Sequence, residues 1–348
     1  MINGVALSYE ETASYVERIR RTVTSMNQAL KKAKVPSDTK TEDGSPEVIL
    51  TKHEILLTTA LLAFHTTGCK FCLIESDHKQ SDPTRFLPSP FAAAICGTIP
   101  SNDRKEILQI RSYISHGIQE IVSAPQNQNA YRVISDTCAT VNCRLTIPAK
   151  SELIIQRVTL SGSEFIYRHK EYRLCLCGKF QITNAIVVLE ILEMLARRGY
   201  RLSDEKIALG LRQTKIPSKF EILAVTPTII ADSTHSEIAV ETVCDSMADF
   251  RPMIGSKIRL CLPEGPIVDR YVQVLTDMNY DIQKVTTLSW KQFKEQKEQA
   301  PYSVWNKKLR ETVSEALFEL QSDEILLISG PNNFTSEIRY EILKVLGF

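Results

Sequence analysis

Gly178-Lys179-Phe180-Gln181-Ile182-Thr183-Asn184-Ala185 is the stretch of sequence that decides the fold assignment. It opens an amphipathic helix that we predict from Gln181 to about Arg198. Gly199 closes this helix, because glycine is favoured just beyond a helix end. Ile216-Pro217-Ser218 then interrupts the pattern, since proline disfavours helix at the residue before it. We therefore divide the chain near residue 216.

Apolar runs separated by helical segments occupy both parts of the chain. Beyond the break, predicted strands are EILAV (221–225), TIIAD (228–232), KIRLCL (257–262) and EILLIS (324–329). Before it, they are FCLIE (71–75), FAAAICG (91–97), IQEIVSA (118–124) and a hairpin around Gly162 that pairs residues 152–160 with 164–177. Apolar runs that alternate with helices indicate an α/β protein with mostly parallel sheets.

Three further helices are predicted from their first residues and periodicity. Ser8 with Glu11, and Thr51 with Glu54, form capping boxes that open helices running to about residue 34 and through residues 53–65. Residues 127–139, NQNAYRVISDTCA, make the third. The stretch 35–48 is polar and rich in helix breakers, which predicts a loop.

The composition excludes several classes of function. The chain has 348 residues, too many for one ordinary core, and its 42 Lys and Arg balance 41 Asp and Glu. We therefore expect neither a nucleic-acid groove nor a membrane-binding patch. The N-terminus does not look like a signal peptide, and no apolar run approaches the ~20 residues of a membrane helix. Nine cysteines, in apolar segments for the most part, favour free thiols in a cytoplasmic protein.

Several segments resemble, in order and spacing, motifs of the Mur-ligase superfamily, specifically the folylpolyglutamate and dihydrofolate synthases. Residues 178–185 look like the motif G-x-H-Q-x-x-N-A, and Pro217-Ser218-Lys219-Phe220-Glu221 resembles the joint P-G-R-[FL]-E. Asp232-Ser233-Thr234-His235 stands where the family has D-G-A-H-N, and ISGPNNFTSEIR (328–339) keeps the spacing of a C-terminal strand-turn-helix. Weaker matches lie at residues 2–8, 50–64 and 123–134.

The resemblance implies a two-domain α/β fold. Residues 1–216 would form a truncated central ATPase-like domain with a mostly parallel sheet, lacking the strand, phosphate loop and helix with which the family begins. Residues 217–348 would form a Rossmann-like C-terminal domain. In the family, ATP activates a carboxylate as an acyl phosphate, which the amino group of an incoming glutamate then attacks.

The resemblance also assigns nucleotide-facing positions to Gln181, Asn184, Lys219, Asp232 and His235. An alternative for Gln181 and Asn184 is helix capping, and for Asp232 and His235 a capping carboxylate and a surface imidazole. Glu75 would be a Mg²⁺ ligand by resemblance, or else a solvated strand end. Lys219 replaces an arginine, which keeps the charge and loses the two-pronged grip. The sequence assigns no catalytic residue.

Three catalytic elements of the family have no counterpart in the sequence. No G-x-x-x-x-G-K-[ST] phosphate loop occurs. The metal-binding histidine of D-H-x-x-x-L-G is expected just after Gly97, where the sequence is Thr98-Ile99-Pro100-Ser101-Asn102. The carbamylated lysine of E-K-A-G-I corresponds to Ser115, which cannot carry a carbamate. A replacement metal site from Glu75, His78 and His116 has no local spacing to support it.

Two hypotheses follow about function. The first is a folylpolyglutamate-synthase-like protein that has lost ligase activity and binds a small-molecule ligand, a second copy of itself or a protein partner such as an active ligase. The second is an active ATP- and Mg²⁺-dependent ligase that adds glutamate to a folate-like or other carboxylate. In that case a partner chain could supply the phosphate loop. ATP and Mg²⁺ are expected cofactors only under the second hypothesis.

Overall fold

The computed structural model describes residues 5–33, 48–71, 73–74, 91–95, 108, 111, 114, 118–234, 237–289 and 302–347. The helices in this part of the chain are α1 (Tyr9–Ala33), α2 (Lys52–Thr67), α3 (Gln128–Thr140), α4 (Lys179–Arg197), α5 (Asp204–Gln213), α6 (Glu237–Ile254), α7 (Pro266–Asp277), α8 (Tyr302–Glu319) and α9 (Asn332–Val345). The strands are β1 (Phe91–Ile95), β2 (Ile118–Ser123), β3 (Arg144–Thr146), β4 (Leu153–Thr159), β5 (Gly162–Tyr167), β6 (Lys170–Leu174), β7 (Glu221–Val225), β8 (Thr228–Asp232), β9 (Lys257–Pro263), β10 (Asp281–Leu288) and β11 (Glu324–Ser329).

The chain forms two compact units. One comprises Met1–Ala93, Thr98–Ile121 and Gln126–Leu145, and the other comprises Ala94–Gly97, Val122–Pro125 and Thr146–Phe348. The large sheet of the second unit begins at Glu221. The division into domains near residue 216 stays a prediction.

A five-stranded sheet in the order β10-β9-β11-β8-β7 organises the C-terminal part of the chain. Three of its four strand pairings are parallel, and the pairing of β7 with β8 is antiparallel. Consecutive residues of β8 enter different cores, because side chains alternate between the faces of a strand. Ile230 packs with α6 and α7 residues such as Met247 and Tyr271, whereas Ile229 packs with α8 and α9 residues such as Leu309 and Phe334.

This architecture confirms the predicted α/β class and most of the predicted elements. Both capping boxes are present, with Ser8 bonded to Glu11 and Thr51 bonded to Glu54. The helix that follows GKFQITN spans Lys179–Arg197, and Gly199 adopts the left-handed φ of 91° expected beyond a helix end. No helix in the described ranges is long and apolar enough to span a membrane.

Two of the sequence predictions are wrong. Phe71, Leu73 and Ile74 lie outside any strand, and Leu73 is 98% exposed. Apolar composition alone cannot supply the neighbouring strand with which a strand must pair. The predicted hairpin at 152–177 is a three-stranded antiparallel sheet, β4-β5-β6. Its second turn uses Arg168 and His169, both at positive φ. Neither residue is among the Gly, Asn and Asp that mark such turns in a sequence.

Strands β3 and β10 were not predicted, because both carry charged or polar residues at most positions. Cys175 and Cys177 follow β6 instead of ending it, and Cys175 is exposed while Cys177 is buried.

Candidate functional site

Four hydrogen bonds hold the main chain of the joint motif, at Ser218, Lys219 and Phe220. Ser218 N–H donates to Oε2 of Glu221 at 2.8 Å, and the Ser218 carbonyl accepts from Ser233 N–H at 2.7 Å. Phe220 N–H donates to Oδ2 of Asp232 at 2.8 Å, and the Lys219 carbonyl accepts from the Gln181 side chain at 3.5 Å. The joint is therefore anchored to α4, β7 and the end of β8 together.

Two joint residues adopt the left-handed conformation without being glycine. Ser218 has φ 56° and Phe220 has φ 52°. Each such residue costs of order 1 kcal/mol or more and persists only where its surroundings impose it. The hydrogen bonds to Asp232 and Glu221 impose it here. Ser218 is 2% exposed, and its hydroxyl has no hydrogen-bond partner among the residues that the structure describes.

Asp232 lies at the carboxyl end of β8 and is 6% exposed. It accepts hydrogen bonds at both carboxylate oxygens and at its carbonyl. Oδ2 accepts from Phe220 N–H, and Oδ1 accepts from the hydroxyl of Thr234. Its carbonyl accepts from the Thr335 hydroxyl at 3.2 Å. Burial raises the pKa of the carboxyl group, and these hydrogen bonds and the charge of Lys219 oppose the rise.

Gln181 and Asn184 lie on the first turns of α4 and bond to each other. The Asn184 side-chain amide donates to Oε1 of Gln181 at 3.1 Å. Gln181 is 2% exposed and also donates to the Lys219 carbonyl, so both ends of its carboxamide are engaged within the chain. Asn184 and Lys219 are exposed.

The structure thus brings together Gln181, Asn184, Lys219 and Asp232 of the five predicted nucleotide-facing residues. His235, the predicted metal ligand Glu75, and the residues His78 and His116 lie outside the described residues. Within the described ranges, no group of three or more His, Cys, Asp and Glu could hold a metal ion. The described residues therefore do not by themselves provide a Mg²⁺ site, and the nucleotide-facing roles stay predictions.

Three aromatic rings pack the joint against helices α4 and α6. Phe220 is 1% exposed and stacks on Phe250 of α6, with ring centroids 5.9 Å apart and an angle of 22°. Phe180, at the start of α4, meets Phe220 edge-on at 6.4 Å. Lys179 forms an ion pair with Asp249 beside them. A shallow cleft of about 480 Å³ lies between these two helices and is lined by Lys179, Phe180, Thr242, Asp245, Ser246, Ala248 and Asp249.

A bidentate ion pair links two of the segments that carry the resemblance. Arg339 donates to both carboxylate oxygens of Glu221, at 2.6 and 2.7 Å. Oε2 of Glu221 also accepts from Ser218 N–H. Both residues stand in quoted motifs, Glu221 in the joint and Arg339 in the strand-turn-helix. Sequence reasoning missed the pair because their separation of 118 positions hides the contact.

The strand-turn-helix at the C-terminus closes the same edge of the sheet. Gly330, with φ 159°, lets the turn pass within van der Waals distance of Pro263, where a Cβ atom would lie 2.9 Å from Pro263 Cδ. Thr335, on α9, donates its hydroxyl to the carbonyls of Asp232 and Gly330. The fully buried Tyr271 donates to Ser329 Oγ at 2.8 Å. These bonds place β8, β11 and α7 in one buried network at the carboxyl edge.

No family model matches the sequence. A curated protein of Halobacterium salinarum, a probable bifunctional folylpolyglutamate synthase/dihydropteroate synthase, is 25% identical over 130 residues. The match covers 37% of this chain and 15% of that protein, so the chain spans well under two thirds of its curated relative.

Solved structures match the chain over nearly its whole length. The folylpolyglutamate synthetase of Lactobacillus casei superposes with a TM-score of 0.68 at 14% identity, over 100% of this chain and 79% of that one. Its apo form gives 0.71 at 14% identity, over 100% and 80%. The enzyme of Thermotoga maritima gives 0.65 at 17% identity, over 97% and 77%. At identities this low the superpositions show the fold alone, so the chain has the fold of the folylpolyglutamate synthetases.

Proposed function

We propose that this chain is a folylpolyglutamate-synthase-like protein that acts by binding and does not carry out ATP-dependent ligation. The observation that carries the proposal is the hydrogen bonding of the side chains around the joint. Both carboxylate oxygens of Asp232 and both ends of the Gln181 carboxamide are engaged inside the chain. These are groups to which the resemblance assigns a nucleotide, and two of their bonds hold the main chain at Lys219 and Phe220.

The substitutions in the sequence support the same proposal. Serine at position 115 cannot carry the carbamate that the resemblance expects there, and Lys219 cannot grip a phosphate bidentately as an arginine does. The resemblance expects a metal-binding histidine just after Gly97, and residues 98–102 contain none.

The ligand class of such a protein is a folate-like acid, and its macromolecular partner is a second copy of the chain or an active ligase. The resemblance motivates both partners, because a scaffold of this kind can be retained for assembly after its chemistry is lost. Light scattering after gel filtration, alone and mixed with an active folylpolyglutamate synthetase, tests this part. A monomer in both samples contradicts it.

Calorimetric titration with Mg-ATP tests the central claim. We expect no heat of binding at millimolar nucleotide, and no ADP when glutamate and a folate are added. An active folylpolyglutamate synthetase titrated in the same buffer is the control. Saturable heat together with glutamate-dependent ADP release contradicts the proposal and supports an active ligase instead. The retained cluster of Gln181, Asn184, Lys219 and Asp232 is the observation that favours that second candidate.

A further inference from the structure

Ser218, the first residue of the strained joint, has two features that favour a different conformation. Its φ of 56° lies in the left-handed region, where a residue with a Cβ atom is strained and glycine is not. Its side chain is buried, and the hydroxyl has no hydrogen-bond partner among the residues that the structure describes. Both costs end if Ser218 turns to a negative φ and its hydroxyl meets water. The joint therefore favours opening at this residue unless other contacts hold it.

Two main-chain hydrogen bonds oppose this opening. Ser218 N–H donates to Oε2 of Glu221 at 2.8 Å, and Ser233 N–H donates to the Ser218 carbonyl at 2.7 Å. Arg339 of α9 fixes the Glu221 carboxylate by donating to Oε2 at 2.6 Å and to Oε1 at 2.7 Å. The same oxygen, Oε2, thus bonds to Arg339 and to Ser218. Arg339 is therefore a positioning residue that holds the joint through Glu221.

The two ends of the joint have different surroundings. The ring of Phe220 is 1% exposed between two other rings, and its N–H bonds to the buried carboxylate of Asp232. At the other end, the side chains of Arg339 and Glu221 are each 25% exposed, so water competes for their hydrogen bonds. The joint should therefore open at Ser218 and pivot at Phe220.

We propose that Arg339, Glu221 and Ser218 form a latch, and that this latch opens as a local unit while Phe220 stays in place. In the closed latch, the ion pair holds Ser218 at positive φ through the bond from Ser218 N–H to Glu221. In the open latch, Ser218 adopts a negative φ, and its bonds to Glu221 and Ser233 are broken. The core around Phe220 remains packed in both states.

Opening of the latch changes two side chains that the resemblance places at a nucleotide. Lys219 lies between Ser218 and Phe220, so its exposed side chain changes direction when the φ of Ser218 changes sign. The Lys219 carbonyl accepts from the Gln181 side chain at 3.5 Å, the longest of the four hydrogen bonds of the joint, and this bond breaks with the latch. The open latch therefore leaves the Gln181 carboxamide available to a ligand. It does so whether or not the chain has lost ligation.

Native-state amide hydrogen exchange of the full chain, followed by NMR, tests the proposal. The opening constant of an amide is its exchange rate divided by the intrinsic rate of an unprotected amide. We expect the N–H groups of Ser218 and Ser233 to share one opening constant, at least about tenfold larger than that of Phe220 N–H. Low concentrations of urea should leave it unchanged, because a local opening exposes little surface. Urea-dependent exchange of Ser218 and Ser233 at the rate of Phe220 overturns the proposal.

Arg339→Lys keeps the charge and removes the bidentate grip on Glu221. The opening constants of the two serine amides should rise at least about tenfold. Arg310→Lys is the matched control, because Arg310 of α8 pairs with Glu341 of α9 at 3.0 Å. This pair attaches α9 without including a joint residue, so its loss should change the two constants by less than about twofold. An equal rise in both variants overturns the latch.

Ser218→Gly tests whether strain drives the opening. Glycine removes the strain and the buried hydroxyl but retains the N–H and carbonyl groups that the latch uses. The opening constants should fall about fivefold, both in the wild type and in the Arg339→Lys background. An ion pair with only a structural role would not be compensated at this position. If Ser218→Gly opens more often than the wild type, strain does not drive the opening and the proposal is overturned. Should Arg339→Lys fail to fold, the wild-type and Ser218→Gly measurements decide.

Discussion

The main-chain N–H of Phe220 donates a 2.8 Å hydrogen bond to Oδ2 of Asp232, across twelve positions of sequence. This bond attaches the joint to the carboxyl end of β8, the edge at which α/β sheets commonly present ligand-binding groups. Because the hydroxyl of Thr234 occupies the other carboxylate oxygen, Asp232 acts as an anchor of the main chain. The strained joint and the buried carboxylate therefore stabilise one another.

Asp232→Asn should change how stability depends on pH. Burial raises the pKa of Asp232 above its ordinary 3.8, so folding favours the protonated acid. That contribution is complete below the unfolded pKa and is lost as pH rises through the folded pKa. The wild-type free energy of unfolding, relative to that of the variant, should therefore fall as the pH rises above the ordinary pKa of 3.8. Urea unfolding at several pH values measures this, and a constant difference contradicts it.

Ser218→Gly should stabilise the protein by about 1 kcal/mol. Glycine adopts φ 56° without strain, and the change removes a buried hydroxyl that has no partner among the described residues. Asn279→Gly is the matched control, because Asn279 has φ 57° but is exposed and of a type that tolerates this conformation. Chemical denaturation measures both variants. A lower free energy of unfolding in Ser218→Gly than in the wild type contradicts the prediction.

Phe220→Ala should lower the free energy of unfolding by about 3–5 kcal/mol, the range for a fully buried phenylalanine. The ring is 1% exposed and lies between Phe180 and Phe250, so its loss leaves a cavity. Phe318→Ala removes an equal ring that is 92% exposed and should change stability by less than about 0.5 kcal/mol. Equal effects of the two substitutions in urea unfolding would contradict the packing described here.

Arg339→Lys should destabilise the fold although it keeps the charge. The guanidinium donates to both oxygens of Glu221, and a lysine can make only one such contact at a time. Losing a charged hydrogen bond at this partly buried site should cost about 1–3 kcal/mol. Glu221→Gln should cost a similar amount, and the double variant should cost less than the sum of the two. Additive effects in a double-mutant cycle would show that the pair is not coupled.

Local sequence signals predicted those elements whose causes are local. The capping pairs Ser8–Glu11 and Thr51–Glu54 are each three residues apart, and both helices begin where these pairs place them. The turn at Arg168-His169 was missed because its positive φ values arise from the pairing of β5 with β6 and not from turn-favouring residues.

The sequence predicted which residues lie at the site, but it did not predict which groups their side chains bond to. The motifs at 178–185 and 217–221 identified Gln181 and Lys219, and the structure joins them through a hydrogen bond. Whether the Gln181 carboxamide faces a ligand or the main chain depends on a partner 38 positions away. Periodicity and spacing carry no information about such a contact.

The sequence by itself determined the α/β class, the helix after GKFQITN, the interruption at Pro217 and the position of Asp232 at the end of an apolar strand. These depend on periodicity, capping and backbone restriction within a few residues. Only the tertiary structure decided that the side chains of Asp232, Gln181 and Glu221 form hydrogen bonds with the main chain of the joint. The physical reason is burial: groups removed from water must bond to whatever the fold brings near, and that is fixed by long-range packing.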